Sequence, residues 1–367
     1  MSRITALRSR APGLSIYLAA FVFYLAIGLY LNVTVQFILG DTLSRVAAAQ
    51  AVLFSRFPHL SAIGFVFTPL TAIVQLPVVA FSRIWPVITA DAISAVIMSA
   101  SFMAGAVFML FGITRDRALP WTMSSAVTVL FAINPMIVFY GGNGMSEAPF
   151  VFFLLWAVRR LLRWVDSDDV HDLTTCGIAL GLAYLVRYDA VAATIAVAVV
   201  VAIRTWTRAP EEGRRRRVLL DVVLVAGPAF FAFVVWAATS WLVTGNAFEQ
   251  FESQYGNAAI LRESGGRAPE SLVSAIKFPI IEIGILAPGL VVVVGVVALV
   301  RGVRRRWWPF VVPVMVFGSV LAFQALTYIR GSTFGFLRFY IVAIPLLAVL
   351  ALLMVPARRV LPAKRPG

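Results

Sequence analysis

Long apolar runs, each near the length of a bilayer crossing, follow one another through the sequence. They cover 14–39, 63–81, 91–112, 121–140, 148–163, 174–187, 190–203, 218–243, 279–300, 308–328 and 339–356. About 20 consecutive apolar residues let a helix cross the hydrocarbon core, so these runs predict membrane helices. Basic clusters punctuate them: Arg3/Arg8/Arg10, Arg115/Arg117, Arg159/Arg160/Arg163, Arg204 to Arg217, Arg301 to Arg306 and Arg358 to Arg365. Short loops rich in Lys and Arg stay in the cytoplasm, which places all six clusters inside. Each interval between clusters must then hold an even number of crossings.

Four intervals read as hairpins, and the first is odd. It holds three apolar runs, of which 63–81 contains Pro69 and Pro77. That run is expected not to cross. It should form short helices on the outer surface or a re-entrant segment. The expected fold is an all-α membrane protein, a single polytopic domain over 1–367. It has about ten transmembrane helices, both termini inside, juxtamembrane helices in an outer loop at 41–90, and a second outer loop at 244–278. The first run is too long for a cleaved signal peptide.

Composition sharpens this picture. The chain is 61% hydrophobic and 13% charged, against about 45–50% and 25% for soluble domains. A soluble enzyme, a disordered chain and a disulfide scaffold are excluded. One cysteine, Cys176, permits no internal disulfide, and two histidines, His59 and His171, offer no zinc spacing. The net charge of +14 sits mainly in the inner clusters. It is an orientation signal, and no soluble basic face for nucleic acid is visible. The cytoplasmic loops carry no Gly-rich phosphate loop, so substrates are expected from the membrane or the outside.

The outer segments carry lone charges beside apolar helix ends, where such groups are costly and default to function. Asp41 follows Gly40 and opens the helix-prone stretch Asp41–Gln50, which includes Arg45. It is a helix cap or a carboxylate that takes a proton from an acceptor hydroxyl. Glu147 ends the turn Tyr140-Gly-Gly-Asn-Gly-Met-Ser-Glu147, whose glycines permit a tight turn or close approach to a ligand. It complements a helix dipole or acts catalytically. Arg187 and Asp189, around Tyr188, brace two helices or line a site. Arg338, in Phe336-Leu-Arg338-Phe-Tyr340, is an interfacial anchor or a bidentate phosphate ligand, with Arg330 as a second phosphate candidate. His59 is a base or ligand, though a loop hydrogen bond is favoured. Arg45, His59, Tyr188, Asp189 and Tyr340 complete the candidate substrate contacts. His171 is expected in solvent and Cys176 in helix packing. In the 244–278 loop, Phe248, Phe251 and Tyr255 are spaced for an amphipathic helix, a lid over an acceptor site or a connector.

Taken in order, several segments resemble the GT-C superfamily, polytopic glycosyltransferases such as protein mannosyltransferases and aminoarabinose transferases. They are Gly40-Asp41, Phe65-Val-Phe67-Thr-Pro69, Asn134-Pro135 with Ser146-Glu147, Gly181-Leu-Ala-Tyr-Leu-Val-Arg187-Tyr-Asp189, and Leu337-Arg338-Phe-Tyr340-Ile-Val-Ala-Ile-Pro345. The resemblance implies a polyprenyl-phosphate-linked sugar donor and inverting transfer on the periplasmic face of a plasma membrane. Asp41 then matches the first-loop acid, Glu147 the second-turn acid, and Arg338 with Arg187 the arginines near the lipid phosphate. Many members pair two acids in the first loop, whereas Thr42 follows Asp41 here. A divalent cation therefore stays open, and no other cofactor is implied. Members often carry a large soluble C-terminal domain, whereas this sequence ends soon after the tenth expected helix, a departure that favours a glycan or lipid acceptor. A flippase of lipid-linked sugar is the alternative. The excess of Arg over Lys tilts the source towards a high-GC bacterium and the sugar towards mannose or arabinose.

Overall fold

The computed structural model describes residues 3–253, 257–263, 271–303 and 307–355. All regular structure among them is helical. The principal helices are α1 (Arg3–Leu29), α2 (Gly40–Phe54), α3 (Ile93–Asp116), α4 (Trp121–Ala132), α5 (Pro135–Gly142), α6 (Glu147–Ser167), α7 (Val170–Val186), α8 (Ala190–Arg208), α9 (Arg214–Thr244), α10 (Leu272–Leu286), α11 (Leu290–Val303), α12 (Trp308–Ile329) and α13 (Ala343–Met354). The predicted all-α membrane architecture is borne out. Six described helices are long and apolar enough to cross a membrane, or eight if each of two bent pairs is one span. The remaining two expected crossings correspond to α6, which carries Glu147 and three arginines, and to α7, which has 17 residues. Length and composition alone therefore do not reach the expected ten.

Two expected straight spans are broken. Run 121–140 becomes α4 and α5, bent by 59°. The bend falls at Asn134-Pro135, since proline cannot continue a helix and disfavours helical backbone before it. Asn134 restarts the chain by accepting from the Met136 amide at 3.0 Å. Run 279–300 becomes α10 and α11, bent by 79° across Ala287–Gly289, where Pro288 breaks the ladder. The α10 helix also begins at Leu272, capped by a reciprocal Ser271–Ser274 pair, so the second loop ends several residues before 278. In that loop one helical turn, Glu249–Glu252, ends at Ser253; Tyr255 lies outside the described residues.

Residues 63–81 form no long helix. They break into turns at Leu70–Ile73, Leu76–Val79 and Ala80–Arg83, followed by Val87–Ala90. Beside them lies α2, which is amphipathic. Thr42, Arg45, Val46, Ala49 and Val52 are buried at helical spacing, against the 60–63 turn and the short helices.

The bundle core is built by α1 on α3, α3 on α6, α6 on α7, α7 on α9, and α8 on α9 and α12. Gly177 shows how close α7 and α9 come. A Cβ there would lie 2.5 Å from the Leu224 carbonyl oxygen and 2.8 Å from that of Val225. Small residues permit such backbone approach between membrane helices. Cys176 beside it is fully buried, as expected for packing.

Alternation of the helices gathers the basic clusters of 115–117, 159–163 and 204–217 at one end. Arginines there are tied to acids on neighbouring helices. Arg159 grips Asp116 at 2.6 and 3.1 Å. Asp172, whose side chain is 4% exposed, takes Arg160 and Arg163 at 2.8 and 3.0 Å. Asp168 takes Arg208 and Arg217. His171 is exposed, as expected, and leans on Asp169 at 3.0 Å.

Candidate active site

The opposite end of the bundle brings five separated segments together: the start of α2, the α5–α6 turn, the α7–α8 turn, the Phe65–Pro69 stretch and a tight turn at Leu337–Tyr340 before α13. Asp41 lies in the first turn of α2, behind an N-cap at Leu39. The capping alternative is therefore set aside. Its Oδ2 stands 3.1 Å from Nη2 of Arg338. The Asp41 side chain is 36% exposed and that of Arg338 is 19% exposed.

The α5–α6 turn is fixed by three bonds. Thr42 Oγ1 donates to the Asn143 carbonyl at 2.9 Å. The Gly144 amide donates to Ser99 Oγ at 3.0 Å. The Met145 amide donates to Asn143 Oδ1 at 3.1 Å. Gly144 takes φ +77°, and a Cβ on it would lie 2.6 Å from Thr42 Cγ2. Of the two roles expected for these glycines, a tight turn or close approach to a ligand, the geometry gives the turn and close packing within the protein: Gly141 abuts the Tyr24 ring and Gly142 the backbone of Gly28. Together they seat Glu147 at the first position of α6, 1% exposed.

Glu147 Oε1 receives Arg187 Nη1 at 3.0 Å and lies 4.0 Å from Arg338 Nε. Arg187 also places Nε and Nη2 on Asp189 Oδ2, at 2.9 and 2.7 Å. The result is a continuous chain of alternating charge: Asp41, Arg338, Glu147, Arg187, Asp189. Burial alone would lower the Arg187 pKa. Asp189 and Glu147 outweigh it, so the guanidinium is held above its ordinary value. Both guanidiniums stack on aromatic rings, Arg187 on Phe150 and Phe339, and Arg338 on Phe336 and Phe339.

Arg45 supports this chain from behind. It is buried, donates from Nη1 to the Asp41 carbonyl at 3.1 Å, reaches Ser146 Oγ at 3.4 Å, and stacks on Phe67 at 4.6 Å. Burial lowers its pKa, with Asp41 and Glu147 opposing. Three acids thus face three arginines, and the cluster is formally neutral. Hydrogen-bonding capacity is nonetheless left over. Arg338 Nε, Arg45 Nε, Asn143 Nδ2, Glu147 Oε2 and Asp189 Oδ1 are buried without a hydrogen-bond partner.

The other expected residues fall elsewhere. His59 is exposed, its ring against the Phe57 carbonyl. Arg330 ends α12 on an exposed surface. Tyr340 is 1% exposed and packs near Phe278. Tyr188 meets Phe323 edge-on. Sequence reading missed Asn143, Ser146 as a partner of Arg45, and the aromatic cradle. The cradle had a local signal, because Phe336 and Phe339 flank Arg338. Asn143 had none beyond its place in the glycine turn. Among the described residues, no three His, Cys, Asp or Glu side chains group to hold a metal ion; each site acid faces a guanidinium instead.

No curated protein matches the chain. A family match covers less than half of it. That stretch includes Glu147, Arg187, Tyr188 and Asp189, while Asp41 and Arg338 lie outside. Residues 84–236 match the dolichyl-phosphate-mannose-protein mannosyltransferase family, and the chain is there similar to membrane glycosyltransferases of the GT-C type.

Proposed function

We propose that this protein transfers a sugar from a polyprenyl-phosphate donor to a glycan or lipid acceptor, with inversion, on the outer face of a bacterial plasma membrane. Mannose and arabinose are the favoured sugars. The observation that carries the reading is a partly exposed carboxylate, Asp41, beside Arg338 at 3.1 Å, at the end of a membrane bundle away from the arginine clusters of 115–117, 159–163 and 204–217. The family match supports glycosyl transfer. The orientation follows from the positive-inside rule, which also makes the ten helical segments ten crossings.

In the proposed reaction an acceptor hydroxyl gives its proton to Asp41 as its oxygen attacks the anomeric carbon. The bond from that carbon to the phosphate oxygen breaks, and its electron pair leaves on the phosphate. Arg338 receives that developing charge. Its Nε, buried without a hydrogen-bond partner, and its fork geometry suit phosphate oxygens. Polyprenyl phosphate leaves as an anion and needs no protein acid. Arg187 is already occupied by two carboxylates, so it stabilises the cluster rather than taking the phosphate alone. Glu147, almost fully buried, holds Arg187 and Arg338 in place.

The test is transfer of labelled sugar from synthetic polyprenyl-phosphate donors to membrane acceptors by the purified protein. Covalent sugar on the acceptor is the expected result. Movement of intact donor across proteoliposomes without transfer would establish the flippase instead.

A further inference from the structure

A cavity of about 600 Å³ opens between the first and second loops of the site end. Its size falls within the usual range of ligand sites. Its wall is Ser61, Gly64, Phe65 and Val66 on one side, and Val243, Thr244, Glu249, Glu252 and Ser253 on the other. None of these residues belongs to the charged chain described above. We infer that this cavity is the acceptor subsite and binds a neutral carbohydrate; the inference rests on the glycosyl-transfer reading.

The chemistry of the wall selects the ligand class. Ser61 brings a hydroxyl, and Glu249 and Glu252 bring carboxylates, while the Thr244 hydroxyl is taken up by the Ser240 carbonyl at 2.8 Å. Ionised carboxylates accept from two hydroxyls at once, which suits the neighbouring OH groups of a sugar ring. Phe65, Val66 and Val243 offer apolar surface for the C–H faces of the same ring. Among the described residues no Lys or Arg lines the cavity, so there a phosphate or other anion would meet two acids. The two ligands of the reaction are thereby separated: the anion belongs at Arg338 and the neutral polyol here.

Position ties the cavity to the chemistry. Phe65 and Val66 line it, while Phe67, two residues on, stacks against Arg45. Two trans Cα–Cα steps span at most ~7.6 Å. Arg45 in turn holds the Asp41 carbonyl. The Phe65–Phe67 stretch therefore links the cavity to Arg45, which holds the backbone of Asp41. It is anchored by Phe65 on Trp236 of α9, with ring centroids 4.8 Å apart. The far wall is set by Asn246, whose Nδ2 donates to Glu252 at 2.7 Å.

The experiment uses purified full-length protein, polyprenyl-phosphate-mannose as donor and mannotriose as the acceptor probe. The paired variant Glu249→Gln with Glu252→Gln keeps the shape and removes the charge. Ser61→Trp blocks the cavity from the opposite wall and guards against a local folding effect in the second loop. The expected result is an acceptor KM at least tenfold higher in both variants. The donor KM, and slow release of mannose to water in the absence of mannotriose, stay within twofold. Unchanged saturation by mannotriose in both variants overturns the subsite while leaving glycosyl transfer standing. Failure of the unaltered protein to release or transfer sugar from both mannosyl and arabinosyl polyprenyl-phosphate donors overturns the parent reading and the subsite with it.

Discussion

Asp41 and Arg338 neutralise one another across 3.1 Å, and that fixes what each substitution should do. Asp41→Asn keeps the size of the side chain and removes the base. Transfer should fall by about 10²–10⁴, the range of a positioned general base, while the protein accumulates normally in the membrane. Near-normal turnover would remove Asp41 from that role. Arg338→Ala should cost roughly 10²–10³ in turnover, as loss of a charge-stabilising donor does, and raise the donor KM; unchanged donor kinetics would place the phosphate elsewhere. Arg187 belongs to a different class. It neutralises Glu147 and Asp189, both nearly buried. Arg187→Ala strands two carboxylates, at a cost of about 3–5 kcal/mol. Its signature is a lower melting midpoint in detergent, before any assay of transfer. If Arg187→Ala melts like the parent protein, the ion-pair chain does not hold the turns together.

At the scale of elements, the contact of α7 with α9 makes a plain demand. Gly177→Leu drives a side chain into the Leu224 and Val225 carbonyls. Overpacking of this kind costs about 1–3 kcal/mol, read as a fall in thermal midpoint; no change would mean that the helices separate without penalty. The same scale shows what was legible in the sequence. Hydropathy located the long apolar helices, because bilayer length is a property of composition summed over a window. It could not locate the bends at Asn134-Pro135 and Pro288, because a window average is blind to a missing backbone donor. The helical state of α2 was readable from its helix-prone composition. The partners of α2 were not, since Thr42 meets Asn143 and Arg45 meets Ser146 only through the fold. His59 drew notice as the sole histidine on its side, yet scarcity is not geometry, and its ring turns to its own loop.

The whole molecule separates its charges by end. One end holds the arginine clusters tied to Asp116, Asp168 and Asp172; the other holds the formally neutral site. Orientation can be read without touching either. Cys176 is fully buried and should not react with a membrane-impermeant thiol reagent. Ser332→Cys, exposed near the site end, should label from outside intact cells, and Glu212→Cys, exposed at the arginine end, only after permeabilisation. The reverse pattern would invert the topology. The pairing of Asp41 with Arg338 also bears on how the protein is made. One residue comes from the first described helices and the other from the turn that precedes the last. During synthesis, Glu147, Arg187 and Asp189 can come together once α8 is in place. Arg338 reaches Asp41 only after the Leu337–Tyr340 turn has emerged and packed. A nascent chain therefore assembles the Glu147–Arg187–Asp189 part of the ion-pair chain long before the Asp41–Arg338 pair can close.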